Sequence, residues 1–164
     1  MGNSRRKVIE LCAGLVGIVA LCDRVSAYQK PSSAKLAQTA LRTLTKLRPD
    51  VHWDSKNLAG DIACDGRSDQ VCLGHSPGKV YVGFVRAADQ KPDISEFQVS
   101  AGYQDAICEE PAALELESLD YDFDPAEGFR RSRVCKGLVL SGGECDRIHL
   151  FRDHDAKRLK WWRN

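Results

Sequence analysis

Hydrophobic residues recur every three or four positions in residues 34–48, which is the spacing of one face of an α-helix. The apolar positions are Leu36, Ala40, Leu41, Leu44 and Leu47. Ser32 or Ser33 can cap the start, because a serine side chain accepts a hydrogen bond from a first-turn N–H. Pro49 ends the pattern, because proline cannot continue a helix. The pattern therefore predicts an amphipathic helix that buries its leucines on its own domain.

After Pro49 the pattern changes to short runs of Val, Leu and aromatic residues, which are typical of β-strands. The predicted strands are residues 70–73, 79–87, 94–101, 112–119, 132–140, 148–152 and 159–163. Turn-forming residues separate them, and the run Ser141-Gly142-Gly143 predicts a hairpin. Short strands at this spacing predict a mainly β fold of the α+β class, an antiparallel meander or a small sandwich. Residues 28–49 form its lead and helix, and residues 50–164 form a single β-rich domain.

The first 27 residues have the layout of a cleavable export signal. Basic residues 5–7 precede an uncharged apolar run at 11–22, and small residues at 25 and 27 precede a cut before Tyr28. A membrane anchor is one alternative, but this run of 12 residues is shorter than the about 20 that a spanning helix needs. A lipobox ending at Cys22 is the other, with Leu21 where a small residue is usual. We expect a periplasmic or secreted protein with no transmembrane segment after cleavage.

Five cysteines follow the predicted cut: Cys64, Cys72, Cys108, Cys135 and Cys145. Outside the cytosol cysteines form disulfides more often than metal sites, and an odd number leaves one thiol unpaired. Spacing alone allows fifteen arrangements with two bridges. We expect a short Cys64–Cys72 clip and a Cys108–Cys135 bridge, with Cys145 free. Zinc is disfavoured, because no C-x-x-C pair occurs and the four histidines are scattered.

The charge balance argues against nucleic-acid binding. Without residues 1–27 the chain carries 20 Lys and Arg against 21 Asp and Glu, whereas nucleic-acid binders show a basic excess. Residues 92–129 contain 11 acidic and no basic residues, and residues 130–164 contain 10 basic and 4 acidic ones. We expect the two segments to neutralise each other in the fold; a charged docking surface is the alternative.

Residues 61–69 contain the main candidate site. Asp61, Asp65 and Asp69 occupy loop positions 1, 5 and 9, with Gly66 at position 6. Calcium requires six to eight oxygen ligands, which closely spaced carboxylates and carbonyls supply, and the glycine allows a sharp turn between them. The spacing therefore predicts a calcium loop. A loop in which these residues only form an Asp/Gly turn is the alternative.

The loop and the apolar strand after it resemble a single FG-GAP or VCBS-type repeat over residues 60–84. The repeat has the form D-x-[DN]-x-D-G-x-x-D, and here Ala63 replaces the Asp or Asn of the third position. The resemblance implies a blade-like sheet of the kind found in β-propellers, with a calcium-binding loop between two strands, in an exported protein. One copy implies an isolated sheet rather than a closed propeller.

Two further segments carry candidate chemistry. Carboxylates gather at Asp120, Asp122 and Asp124, but Pro125 stands where a calcium loop needs glycine, so they are expected to line the wet face of a strand. Residues 157–163 mix cations with two tryptophans. We expect a final strand paired with residues 148–152, with one Trp in the core and its neighbour facing out; docking of a polyanion, glycan or membrane is the alternative.

No catalytic constellation stands out, and we assign no catalytic residue. The sequence favours a non-enzymatic binding module whose partner is an unknown protein or an envelope polymer. A hydrolase of envelope polymers that uses Asp61, Asp120 or Asp122 is one alternative. An inhibitor or immunity-type protein of an extracytoplasmic enzyme is another.

Overall fold

In the computed structural model of the protein, residues 32–100 and 102–163 are described. The predicted export signal and its lipobox alternative at Cys22 lie outside these residues. The described residues belong to one compact unit. Its helix is neither long nor apolar enough to cross a membrane.

The predicted N-terminal helix is confirmed as α1, Ser33–Leu47. The Ser32 side chain caps it by accepting a hydrogen bond from the Lys35 N–H at 3.4 Å. At its end the N–H of Arg48 donates to the Leu44 carbonyl at 2.9 Å, and Pro49 follows. Ala40 and Leu44 are fully buried, so the apolar face of the helix packs against the rest of the domain.

Within residues 32–100 and 102–163, nine strands form two sheets, which confirms the prediction of a mainly β fold with one N-terminal helix. They are β1 (His52–Gly60), β2 (Asp69–Ser76), β3 (Lys79–Val85), β4 (Pro92–Val99), β5 (Ala106–Ile107), β6 (Ala113–Leu119), β7 (Ser132–Ser141), β8 (Ile148–Asp153) and β9 (Arg158–Arg163). The first sheet, sheet A, has the order β1-β2-β3-β4-β5, and the second, sheet B, has the order β6-β7-β8-β9. All pairs are antiparallel except β4 with the short β5.

The main core lies between the two sheets. Val71, Val82 and Phe97 of sheet A and Leu138 and Leu150 of sheet B share one buried cluster and are fully shielded from solvent. Alternation along each strand places these residues on the inner faces. The sheets therefore pack face to face.

Helix α1 covers the outer face of sheet A. Leu44 packs with Trp53 and Tyr81 in a second buried cluster. Gly83 makes this approach close, because a Cβ there would lie 2.7 Å from both Leu44 and Trp53. A larger residue at position 83 would lift the helix from the sheet.

Strand β1 is the one long strand that the hydrophobic pattern does not predict. It lies at the edge of sheet A and carries exposed polar residues such as Lys56 beside the buried Trp53. Its register with β2 also shifts between Trp53 and Asn57. An edge strand with a bulge lacks the regular alternation by which strands are recognised.

The predicted C-terminal strand is confirmed. Strand β9 pairs with β8, from Ile148 opposite Arg163 to Asp153 opposite Arg158. Trp162 is 9% exposed, whereas Trp161 is 37% exposed. Trp161 also contacts Phe97 of sheet A edge-on, with ring centroids 6.2 Å apart.

The expected disulfide pairing is wrong. The bridges are Cys64–Cys135 and Cys108–Cys145, with Cα–Cα distances of 5.2 and 5.6 Å, and Cys72 is a buried free thiol. Strand alternation explains why Cys72 does not reach Cys64, because its side chain points from β2 into the cluster beneath the helix. Each bridge joins the part of the chain that forms sheet A to the part that forms sheet B. Two disulfides fit a compartment outside the cytoplasm.

Candidate functional site

The predicted calcium loop lies between β1 and β2, and its carboxylates bind backbone N–H groups. Asp61 accepts hydrogen bonds from the N–H groups of Asp65 and Gly66, each at 3.0 Å. Asp65 accepts one from the N–H of Arg67 at 3.1 Å. These bonds hold the loop in the form of an Asp-rich turn.

Asp69 is the buried member of the set. Its Oδ2 accepts hydrogen bonds from the N–H groups of Ile62 and Ala63 at 3.0 and 2.8 Å, and its Oδ1 accepts one from Ala87 at 2.8 Å. Burial raises the pKa of Asp69, and the three backbone donors act against that rise. Asp69 therefore fastens both ends of the loop to the β3–β4 connection.

The three carboxylates accept hydrogen bonds from different backbone donors, Asp61 and Asp65 within the loop and Asp69 from Ile62, Ala63 and Ala87. A calcium ion would need oxygens of all three turned to one point. Among residues 32–100 and 102–163, no group of three or more His, Cys, Asp or Glu side chains is placed to hold a metal. Calcium binding and the resemblance to an FG-GAP or VCBS-type repeat stay predictions.

The second acidic segment is engaged by arginines of the basic segment. Asp120 accepts hydrogen bonds from the Nε of Arg131 at 2.5 Å and from the Nε of Arg133 at 3.0 Å. Arg131, followed by Arg133, holds the pKa of Asp120 below its ordinary value. A general acid needs the opposite shift. The expected neutralisation of the two segments is confirmed at this position.

A hydrogen-bonded cluster on the outer face of sheet B joins Glu117 of β6, His149 of β8 and Tyr121. His149 Nδ1 lies 2.9 Å from Glu117 Oε2 and 3.3 Å from the Tyr121 hydroxyl, which donates to the same Glu117 oxygen. The His149 ring stacks on Trp162 with centroids 4.3 Å apart. Burial, and then the bond to Glu117, raises the pKa of Tyr121.

The sequence pattern does not indicate this cluster, because His149 lies in a predicted strand with no ligand partner nearby in the sequence; the signal that could have found it is a glycine. Gly137 of β7 lies opposite Glu117, and a Cβ there would meet the Glu117 side chain at 3.2 Å and Leu119 at 2.5 Å. Because Gly137 has no side chain, the side chain of Glu117 can cross β7 and reach His149. The adjoining cavity, about 150 Å³, is lined by Tyr121, Asp122, Phe123, Asp124 and Arg131 and does not reach Glu117 or His149. The cluster therefore supports the 120–131 loop rather than presenting a catalytic pair.

A groove of about 520 Å³ lies between the edge strands β1 and β6. Its lining residues are Asp54, Lys56, Leu58, Val71, Leu73, Ala112, Ala113, Leu114, Glu115 and Leu116. Val71 and Leu73 are buried core residues, so the groove reaches down to the core between the sheets. Leu116 remains 37% exposed on one wall.

Charged side chains line the rim of this groove. Asp54 Oδ2 lies 3.5 Å from the Nε2 of His75, whose Nδ1 lies 3.6 Å from Glu110 Oε1. Lys56 and Glu115 form no ion pair with any described residue. The groove thus combines an apolar floor with unpaired charges of both signs. The sequence could not indicate it, because β1 is not predicted.

Comparison with protein-family models, curated proteins and solved structures finds no match to this chain. Its function is therefore argued from the geometry above.

Proposed function

We propose that the chain is a non-enzymatic binding module of the periplasm or the extracellular space. It holds an extended peptide segment of a partner protein in the groove between β1 and β6. The observation that carries this proposal is a groove of about 520 Å³ with an apolar floor, flanked by β1 and β6, which are edge strands of the two sheets in the described part of the chain. The two disulfides and the predicted export signal support the compartment.

Edge strands are natural docking sites for extended peptides. A free edge has unpaired backbone N–H and C=O groups, which a bound strand can satisfy, while neighbouring pockets accept its alternate side chains. Strand β6 pairs regularly with β7 from Ala113 to Ser118, so its other edge presents an even series of such groups. Strand β1 is interrupted by its bulge, and β6 is therefore the favoured pairing edge.

The residues that line the groove indicate which peptide side chains it would accept. Leu114 and Leu116 lie two residues apart on β6, and a peptide paired with this strand would place apolar side chains at the same spacing. Glu115 and Asp54 outnumber Lys56 at the rim, which favours a peptide with a basic residue beside its apolar positions.

The two other functions differ from this one in what they require. An inhibitor or immunity-type protein would use the same groove with an extracytoplasmic enzyme as the partner. A hydrolase of this kind would need two free carboxylates in a cleft. Asp61 and Asp120 are engaged by backbone N–H groups and by arginines, so of the three candidates only Asp122, in the cavity of about 150 Å³, has no such partner among the described residues. The geometry therefore favours binding.

The test is selection from a displayed library of extended peptides on the purified, oxidised protein. We expect enrichment of peptides with apolar residues at alternate positions.

Leu116→Arg should weaken the binding of these peptides at least tenfold, because it places a long charged side chain in the groove. Lys56→Glu should change which peptide charge is preferred. Leu47→Arg is the matched control, since Leu47 is an exposed leucine of the helix. Equal binding by both leucine variants, or enrichment of no peptide, would contradict the proposal. Binding of soluble envelope glycans in its place would assign the groove to a polymer.

A further inference from the structure

A further cavity, of about 260 Å³, lies where β3, β4, β8 and β9 meet and is lined mainly by cations. Its basic side chains are Arg86, Lys91, Arg152, Lys157 and Arg158, against the single carboxylate of Asp93. Hydrophobic packing does not explain such a concentration, because like charges repel one another. The cavity shares no lining residue with the groove.

Arg152 is the least exposed cation of this cavity. Its side chain is only 10% exposed, and its guanidinium lies over the Phe84 ring at 5.5 Å from the centroid. Among the described residues its one acceptor is Asp93 Oδ2, at 3.4 Å. That oxygen also accepts a shorter bond, 2.6 Å, from the Leu159 N–H. The remaining N–H donors of Arg152 therefore lack a protein acceptor.

The neighbouring charges leave the cavity positive. Arg86 is neutralised by Asp89, whose oxygens accept hydrogen bonds from its Nε and Nη2 at 2.9 and 2.5 Å. The nearby Asp69 is held by three backbone N–H groups. Lys157 and Arg158 have no ion-pair partner in the described part of the chain, and Lys91 approaches only Asp89, at 3.7 Å. Burial lowers the pKa of Arg152, and the carboxylates of Asp93, Asp69 and Asp89 act against that lowering.

We propose that this cavity is a binding site for a phosphate group. The planar guanidinium of a buried arginine can donate two parallel hydrogen bonds to two phosphate oxygens. Lysines at the rim add positive charge without requiring a particular hydrogen-bond geometry. A volume of about 260 Å³ lies below the range of about 300–1,000 Å³ for drug-sized ligands, so the site suits one small anion group. The group is either free phosphate or the phosphomonoester of a larger molecule.

The test is calorimetric titration of the purified, oxidised protein with inorganic phosphate at constant ionic strength. We expect saturable binding and a rise in Tm with phosphate concentration. Arg152→Gln should weaken binding at least tenfold, which is the range for loss of charge-assisted hydrogen bonds. Arg158→Gln changes an exposed residue and should weaken binding severalfold without affecting the fold. Lys46→Gln removes one charge from the exposed end of α1 and should leave binding unchanged.

Two comparisons decide the outcome. Equal loss of binding in Lys46→Gln and Arg158→Gln would show that only net charge matters and would overturn the site. Acetate binding as tight as phosphate would overturn the assignment to phosphate. Glycerol 3-phosphate distinguishes the sources: tighter binding than inorganic phosphate assigns the site to a phosphomonoester, and weaker or equal binding assigns it to free phosphate.

Discussion

Asp69 and Asp153 are the carboxylates that lie buried among the described residues, and both hold a turn through backbone N–H groups. Asp153 Oδ1 accepts from the N–H groups of Asp155 and Ala156, each at 2.8 Å, and its Oδ2 pairs with Lys160 Nζ at 2.6 Å. The same residue thus shapes the β8–β9 turn and anchors β9. Acidic residues that look like ligands in the sequence serve here as turn-forming acceptors.

The Asp153 contacts predict how stability changes in acid. Lys160, followed by the backbone donor Ala156, lowers the pKa of Asp153 from 3.8 to about 2. Because the folded state holds the proton less readily than the unfolded state, this contribution is complete above the unfolded pKa and is lost as pH falls from about 4 to about 2. We expect wild type to exceed Asp153→Asn in free energy of unfolding at pH 6, with the difference shrinking towards pH 2. Guanidinium unfolding at both pH values measures it, and a pH-independent difference would contradict the expectation.

The 61–69 loop predicts a small response to calcium. Asp61 and Asp69 already accept five hydrogen bonds from backbone N–H groups, and Asp69 is buried, so their oxygens are held in the turn rather than aimed at one point. We expect the same Tm in calcium and in chelator, and a lower Tm for Asp69→Asn in both, because buried N–H groups lose their acceptor. Differential scanning calorimetry measures all three. A calcium-dependent rise of several degrees that Asp69→Asn abolishes would establish the predicted calcium loop.

Among the helix and strands, the sequence predicts those that carry clear local signals such as capping residues and a regular hydrophobic pattern. A capping serine and Pro49 bracket α1, and its predicted bounds differ from Ser33–Leu47 by one residue at each end. Strand β3 is predicted because all its residues after Lys79 are buried, with β-branched and aromatic side chains on both faces. Strand β1 is missed because edge position and a bulge remove its alternation. The groove depends on β1, so it could not be predicted either.

The helix predicts a measurable contribution to stability. Leu44 is fully buried against Trp53 and Tyr81, so Leu44→Ala removes its burial and leaves a cavity. We expect a loss of about 2–5 kcal/mol in the free energy of unfolding. Leu47→Ala, at a leucine 52% exposed, should change it by less than about 0.5 kcal/mol. Urea unfolding compares the two, and equal losses would show that the helix is not docked through Leu44.

At the scale of the whole molecule, the fold class follows from the pattern but the pairing of distant residues does not. Counts and spacing cannot show that Cys72 points to the helix while Cys64 approaches Cys135 from across the sheets. The same limit applies to the cationic cavity, whose residues come from four strands and their connections. Contacts between residues far apart in sequence are set by how the sheets pack.

The disulfide pattern predicts a defined peptide map. Digestion without reduction should yield the linked pairs Cys64–Cys135 and Cys108–Cys145 in mass spectrometry. Cys72 should react with alkylating reagents only after unfolding, because burial raises its thiol pKa to about 11. Replacing either pair with serines should cost about 4 kcal/mol, slightly more for the 71-residue separation than for the 37-residue one. A Cys64–Cys72 peptide would contradict this pairing.

The order of the strands has a further consequence for cleavage. Sheet A uses β1 to β5 and sheet B uses β6 to β9, so the chain passes between them once, through residues 108–112. Glu109 and Glu110 in this passage are exposed. A protease that cut between them would leave two fragments, each with a whole sheet, and both disulfides would join one fragment to the other. The nicked protein would migrate as a single species until a reductant released its halves.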